Sequence, residues 1–262
     1  MSESQLVDVC RRDSVLIITI SDVARRNAYS APMQQQLIAA LEAAMSADDP
    51  CRAIVLTGKG EHFCAGGALD ALGGKMTMLE ARRGIVASQA VTRLIATGVK
   101  PVVAAVAGVA YGAGMGLALV CDFVVATPSA RFSAAFVRFN LLPDLALWWS
   151  LSQRVGAGRA KELIALGTEI SGRDAHGMGI VSRLAEADTL LDEAIAFAAT
   201  LAQRPAEAIA LLKAGFASGV GNTLEEALRF EREVQPFLLD TADHREAVQA
   251  FVERRQPDFS AR

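Results

Sequence analysis

An α/β core of about 190 residues followed by a helical C-terminal region is the fold that this 262-residue sequence predicts. Three observations point to it. Short β-branched runs alternate with helical patterns through the first half of the chain. Glycine-rich turns lie beside two of those runs. From Leu147 onward the pattern is helical almost without a break.

The elements follow in chain order. Val15–Ile20 has the composition and length of a strand, as do Ala53–Gly58, Val102–Val106 and Phe123–Ala126. Ser30 is placed to cap a helix running to Met45, with Pro32 in its first turn. A second helix is expected over Met78–Ala96, ending before Gly98. Further helical segments are Trp148–Arg154, Ala157–Ala165, Ser171–Gly177, Thr189–Gln203, Ala206–Ala217, Thr223–Leu239 and Ala242–Arg254. Gly167, Gly219 and Gly221 stand where C-terminal caps would end such helices. No internal repeat is visible in the residues.

Bulk properties narrow the function. A net charge of −3 gives no broad basic field, which excludes a nucleic-acid partner. The four cysteines (Cys10, Cys51, Cys64, Cys121) lack CxxC spacing and read as free thiols in a reducing cytoplasm. The polar start of the chain does not read as a signal peptide. The apolar stretch Val102–Val120 breaks into a β-branched run and a glycine-rich turn. It therefore predicts a buried strand feeding a buried helix, and no membrane span. Three histidines without paired spacing make no zinc site, and no metal is expected.

Glycine-rich turns let a backbone approach a ligand with no Cβ in the way. Two are present, Phe63-Cys64-Ala65-Gly66-Gly67 and Gly108-Val109-Ala110-Tyr111-Gly112-Ala113-Gly114-Met115-Gly116. The second is not a dinucleotide turn: it follows the third strand, and no acidic residue lies about 20 positions on to hold a ribose. Gly58-Lys59-Gly60 lacks the Gly-Lys-Ser/Thr ending of a phosphate loop. Arg26-Asn27-Ala28 lies upstream of both turns, and Asn140-Leu141-Leu142-Pro143-Asp144 lies downstream.

Together these motifs resemble the enoyl-CoA hydratase/isomerase (crotonase) superfamily, over nearly the whole chain from Asp13 to Phe251-Val252-Glu253-Arg254-Arg255. The resemblance implies a crotonase-like ββα spiral core over residues 1–195 and a helical trimerisation region over 196–262. It implies an acyl-CoA thioester substrate, with coenzyme A entering as part of that substrate and no other cofactor. It implies a homotrimer or hexamer. By the same resemblance Gly67 and Ala113 give the two backbone N–H groups that hold a thioester oxygen, and Ala65 lies beside the nucleotide part of CoA. Arg26 and Arg254 match positions near the CoA phosphates, Arg254 as a residue that a neighbouring subunit would contribute. Ala28, Ala68, Leu69, Tyr111 and Phe136 fall along the substrate. Ala68 stands where the family usually has an aspartate, and Tyr111 either lines the acyl pocket or simply packs.

Ala113 opens a predicted helix, and free N–H groups with a partial positive charge at such an end favour a developing enolate oxygen. In a dry site each donor contributes roughly 3–4 kcal/mol to lowering the barrier. The acids decide the reaction. The two hydratase glutamates match Gly116 and Phe136, so neither carboxylate that water addition needs is present. Shifting a double bond needs a single base, and Asp144 is the one offered. The stretch from Phe136 to Asp144 looks like the subgroup of single-aspartate isomerases, whose usual following glycine pair is Leu145-Ala146 here. Leu142, Leu145, Leu147, Trp148 and Trp149 are expected to desolvate Asp144 and raise its pKa. Asp144 also suits a helix N-cap. Proton shuttling, weak hydration through Asp144 alone, and silent acyl-CoA binding all stay open on the residues. Cys64 reads as a small buried thiol, and His176 and His244 as surface residues.

Overall fold

The computed structural model describes residues 4–68, 76–219 and 223–259. Its main sheet has six strands, β1 (Val7–Arg12), β2 (Val15–Ile20), β3 (Ala53–Gly58), β4 (Val102–Val106), β6 (Phe123–Ala126) and β9 (Arg183–Leu184), side by side in that order. β1 joins β2 in an antiparallel pair, and every other pairing in this sheet is parallel. The parallel strands are buried on both faces, so they read as continuous apolar runs. One face carries Ile18, Leu56, Ala104 and Val124; the other carries Ile17, Val55, Val103 and Val125.

A small second sheet, β5 (Val109–Tyr111), β7 (Arg131–Ser133) and β8 (Glu169–Ser171), stands apart from the first. The chain visits the two sheets in turn. β3 leads to a bridge between Cys64 and Ala110 of β5, β4 leads to β5, and β6 leads to β7. A helix follows each visit: α2 (Met78–Ala96), α3 (Ala113–Val120) and α4 (Leu147–Leu166). This is the ββα spiral that the resemblance implies. It left no visible period in the residues because its second-sheet strands are only 3 residues long.

All four predicted strands and both early helices form, with α1 (Ala31–Met45) capped by the Ser30 hydroxyl accepting the Met33 N–H. The two segments expected over 148–154 and 157–165 both form: the span labelled α4 is two helices that meet in a kink at Gly156, whose φ of 75° and ψ of 157° are not helical. The later helices are α5 (Gly172–Gly177), α6 (Leu190–Ala202), α7 (Ala206–Ala217), α8 (Leu224–Leu239) and α9 (Ala242–Glu253). Gly167 and Gly219 take the positive φ expected of caps, while Gly221 lies outside the described residues. α6 spans position 195 and packs Leu190, Ala194, Phe197 and Ala198 onto the second face of the main sheet. Beyond it, α7–α9 present exposed Phe216, Phe237 and Phe251. Among the described residues no single helix is long and apolar enough to cross a membrane.

Two contacts place these layers. Lys213 of α7 is 5% exposed, and its ammonium donates to the Asp122 carboxylate at 2.6 Å and to the Lys100 carbonyl at 2.7 Å. Asp122 Oδ2 also accepts the Val102 N–H, so α7 is tied to the start of β4. Burial pushes the Asp122 carboxyl up against the opposing pull of Lys213. The second contact lies in the first turn of α3, where a Cβ on Gly114 would sit 2.2 Å from the Cys64 carbonyl oxygen. Only glycine lets helix and loop come this close.

Removing one partner of a buried ion pair strands the other charge. Lys213→Met is therefore expected to lower unfolding free energy by about 3–5 kcal/mol, measured by urea titration at pH 8. Gly114→Ala is expected to cost about 1–3 kcal/mol by overpacking, read in the same titration.

Candidate active site

The first glycine loop is laid down by backbone pairing. Cys64 N–H donates to the Val109 carbonyl, and Tyr111 N–H returns a bond to the Cys64 carbonyl at 3.0 Å. On the other side Ala65 N–H donates to Arg26, Tyr29 N–H to Gly66, and Ala68 N–H to Tyr29. The Tyr29–Gly67 bridge uses the N–H groups of Tyr29 and Ala68, which leaves the Gly67 N–H on the opposite side of the strand. Asn27 anchors this seam. It is fully buried at φ 56°, and its side chain donates to the Lys59 and His62 carbonyls and accepts the Asp22 N–H. Gly112 precedes α3 at φ 49°, ψ −116°, a turn open only to glycine. The first N–H groups of α3, Ala113 included, have no partner within the helix.

Gly67, Ala113 and Asp144 meet in one cavity of about 630 Å³. Ala65, Arg26, Ala28, Ala68, Tyr111 and Phe136 also line it, so most of the residues named from the sequence share one wall. Leu69 lies outside the described residues. Arg254 is the αL residue that ends α9 and is not part of this wall. Tyr111 lines the cavity, and its hydroxyl hydrogen-bonds Glu169. Burial and the neighbouring Glu169 raise its pKa. Cys64 is a fully buried thiol that burial pushes up to about 12, an inert packing group.

Asp144 is not a helix cap. α4 begins at Leu147, the cap position is Ala146, and no side chain accepts there; Leu147 N–H bonds to the Asp144 main-chain carbonyl instead. Asp144 lines the cavity, and its Oδ1 is buried without a hydrogen-bond partner. Among the described residues only His62 Nδ1 shares that condition. Burial raises the Asp144 pKa from 3.8 to about 6, with only its own backbone N–H pulling the other way. The desolvating neighbours differ from those expected. Leu145 and Leu147 are buried, but Leu142 is 68% exposed and Trp148 is 52% exposed. Leu142 lies before the turn at Leu145–Ala146 and Trp148 in the first turn of α4, and both are exposed. Phe136, Phe139 and Leu141 share the cavity wall with Asp144.

Sequence reading did not single out Ala24, Arg25, Gly66, Gly112, Ala135, Phe139 and Leu141, all of which line the cavity. Gly66 and Gly112 were inside the quoted motifs. Phe139 reaches the wall because residues 135–139 form a tight 3-10 turn that brings Ala135, Phe136 and Phe139 together. A more open depression of about 990 Å³ adjoins this cavity and shares Ala24, Arg25 and Ala68 with it.

Known proteins carry the same frame. The family model described as enoyl-CoA hydratase/isomerase matches residues 11–262. Over 251 residues the chain is 36% identical to 1,2-epoxyphenylacetyl-CoA isomerase of Escherichia coli K12, covering 95% of both chains. It is 33% identical over 259 residues to 2,3-dehydroadipyl-CoA hydratase of the same organism, covering 99% of this chain and 100% of the other. An enoyl-CoA hydratase crystal structure from Polaromonas sp. JS666 matches with a TM-score of 0.90 at 35% identity, over 96% of this chain and 98% of that one. Paired glycine loops around one cavity, two sheets visited in turn and near full-length similarity agree, and the chain belongs to the enoyl-CoA hydratase/isomerase family.

Proposed function

We propose that this protein binds an acyl-CoA thioester and shifts a carbon–carbon double bond within its acyl chain, with Asp144 as the base. The observation that carries this reading is Asp144, the one acid among the described residues that line the cavity, with a buried and unpartnered Oδ1. Gly116 and Phe136 leave no carboxylate at the two positions where water addition would use one.

In this scheme the thioester oxygen lies against the Gly67 and Ala113 N–H groups. Asp144 takes a proton from the carbon next to the thioester carbonyl of a 3-enoyl chain. The electron pair moves into the carbonyl, and the negative oxygen is held by the two N–H donors at the start of α3 and in the first loop. Asp144 then returns the proton two carbons away, giving the conjugated 2-enoyl thioester. Protons and electrons balance without metal, redox partner or water; coenzyme A enters only as part of the substrate. A carboxyl with a pKa near 6 is ionised at neutral pH yet more basic than an exposed aspartate, which suits the step. The adjoining depression with Arg25, together with Arg26 at the cavity mouth, offers room and positive charge for the CoA phosphates.

The same reading takes the protein as a cytoplasmic homotrimer or hexamer assembled through α7–α9, supported by four free cysteines and the exposed aromatics of those helices. Light scattering of the purified protein is expected to give three or six times the chain mass, and a monomer at micromolar concentration overturns this part.

Asp144→Asn keeps the shape and removes the base. It is expected to lower 3-enoyl-CoA isomerisation by about 10²–10⁴-fold, followed through the conjugated-thioester absorbance. Survival within a few-fold rejects the assignment. Because the base must be ionised, the wild-type rate is expected to fall as pH drops through about 6.

A further inference from the structure

The turn that carries Asp144 stands directly on the bare Cα of Gly116. A Cβ at residue 116 would lie 2.9 Å from the Leu145 Cβ, 3.2 Å from the Asp144 carbonyl oxygen and 3.7 Å from the Leu145 Cδ1. Asp144 lines the cavity, but neither Gly116 nor Leu145 does. The face of α3 at residue 116 is therefore walled off from the substrate space by the Asp144–Leu145 turn. Leu145 is 2% exposed at φ 49°, and Ala146 follows at φ 54°. Two consecutive side-chain-bearing residues in the left-handed region persist only where packing holds them there.

We propose that Leu145 is a positioning and specificity residue: seated on Gly116, it closes the space from which a second acid or its water would reach the substrate, and it holds Asp144 as the single dry acid of the cavity. This rests on the proton-shuttle reading above and adds to it the reason that water is kept out. Gly116 and Leu145 form a matched pair, one lacking the volume that the other supplies. A carboxylate restored at residue 116 alone has nowhere to stand.

The surroundings of Asp144 support a dry site. Tyr29, on the segment before α1, and Cys64, on the first loop, are the titratable groups that feel the Asp144 charge. Burial pushes both up to about 12, so both are neutral at working pH. Arg25, Arg26 and Tyr111 share the same cavity. The dominant influence on the carboxyl is burial, and that is what Leu145 controls.

The test is Leu145→Gly. Glycine is at ease at φ 49°, so the turn is expected to fold, with thermal unfolding as the check. With the plug removed, the low-pH limb of 3-enoyl-CoA isomerisation is expected to move down by about one pH unit as water reaches Asp144. Hydration of a 2-enoyl-CoA is expected to rise at least about tenfold relative to isomerisation. Gly116→Ala, whose methyl meets Leu145, is expected to cut isomerisation by about tenfold or more, and Gly116→Ala/Leu145→Gly to regain most of it. An unmoved limb with an unchanged product ratio overturns the proposal, and so does a double variant no better than Gly116→Ala. Asp144→Asn run beside them separates the two ideas. If it stays active, the proton-shuttle reading falls and this proposal with it; if it is inactive while Leu145→Gly keeps its limb near pH 6, only the role of Leu145 falls.

Discussion

The Cys64 carbonyl accepts the Tyr111 N–H at 3.0 Å and lies against the bare Cα of Gly114. This contact brings the start of α3 onto the first loop, and the cavity is the space left between them. The Asn27 side chain fixes that loop from the far side. Moving the loop away from α3 by even a methyl's width would part the two backbone N–H groups proposed to share one oxygen. Secondary structure in the rest of the chain serves this spacing. The main sheet carries β3 and β4 in parallel so that the segments after them, Cys64 and β5, can pair.

Dryness acts in two directions here. A hydrogen bond or dipole is stronger where water is excluded, which favours the backbone donors. The same exclusion makes a lone carboxylate costly, and among the described residues Asp144 has no cationic partner to offset this. Contrast Asp122, more deeply buried but held by Lys213 and the Val102 N–H. One carboxyl is satisfied and ties helices together. The other is left wanting on a cavity wall.

Much of the fold was legible because long elements carry their own signals. The apolar runs of β2 to β4, the Ser30 cap with Pro32, and Met78–Ala96 all stand where the residues put them. The second sheet was not legible: three-residue strands such as β5 and β8 hold no periodicity, and only tertiary pairing defines them. β1 hid in a polar start because its residues are mostly exposed, so no run of buried side chains marks it. At the site, glycines announced the loops, since close backbone approach permits nothing else. The capping role that Asp144 could have played is refuted by Ala146 in left-handed geometry, which the residues alone did not reveal. Likewise the residues suggest Leu142 and Trp148 as cover for Asp144, yet the chain turns at Leu145–Ala146 in left-handed geometry and both side chains are exposed.

The unpartnered carboxyl carries a thermodynamic consequence for the whole molecule. An unfolded Asp144 releases its proton near pH 3.8, whereas the folded one holds it until about pH 6. Between those values the native state binds more protons than the unfolded state, so stability falls as pH rises. Above both, the fold carries the full burden of the buried charge, about 3 kcal/mol. The pH range in which this acid is available as a base is thus the range in which it most opposes folding, and the apolar packing of the two sheet faces must supply the difference.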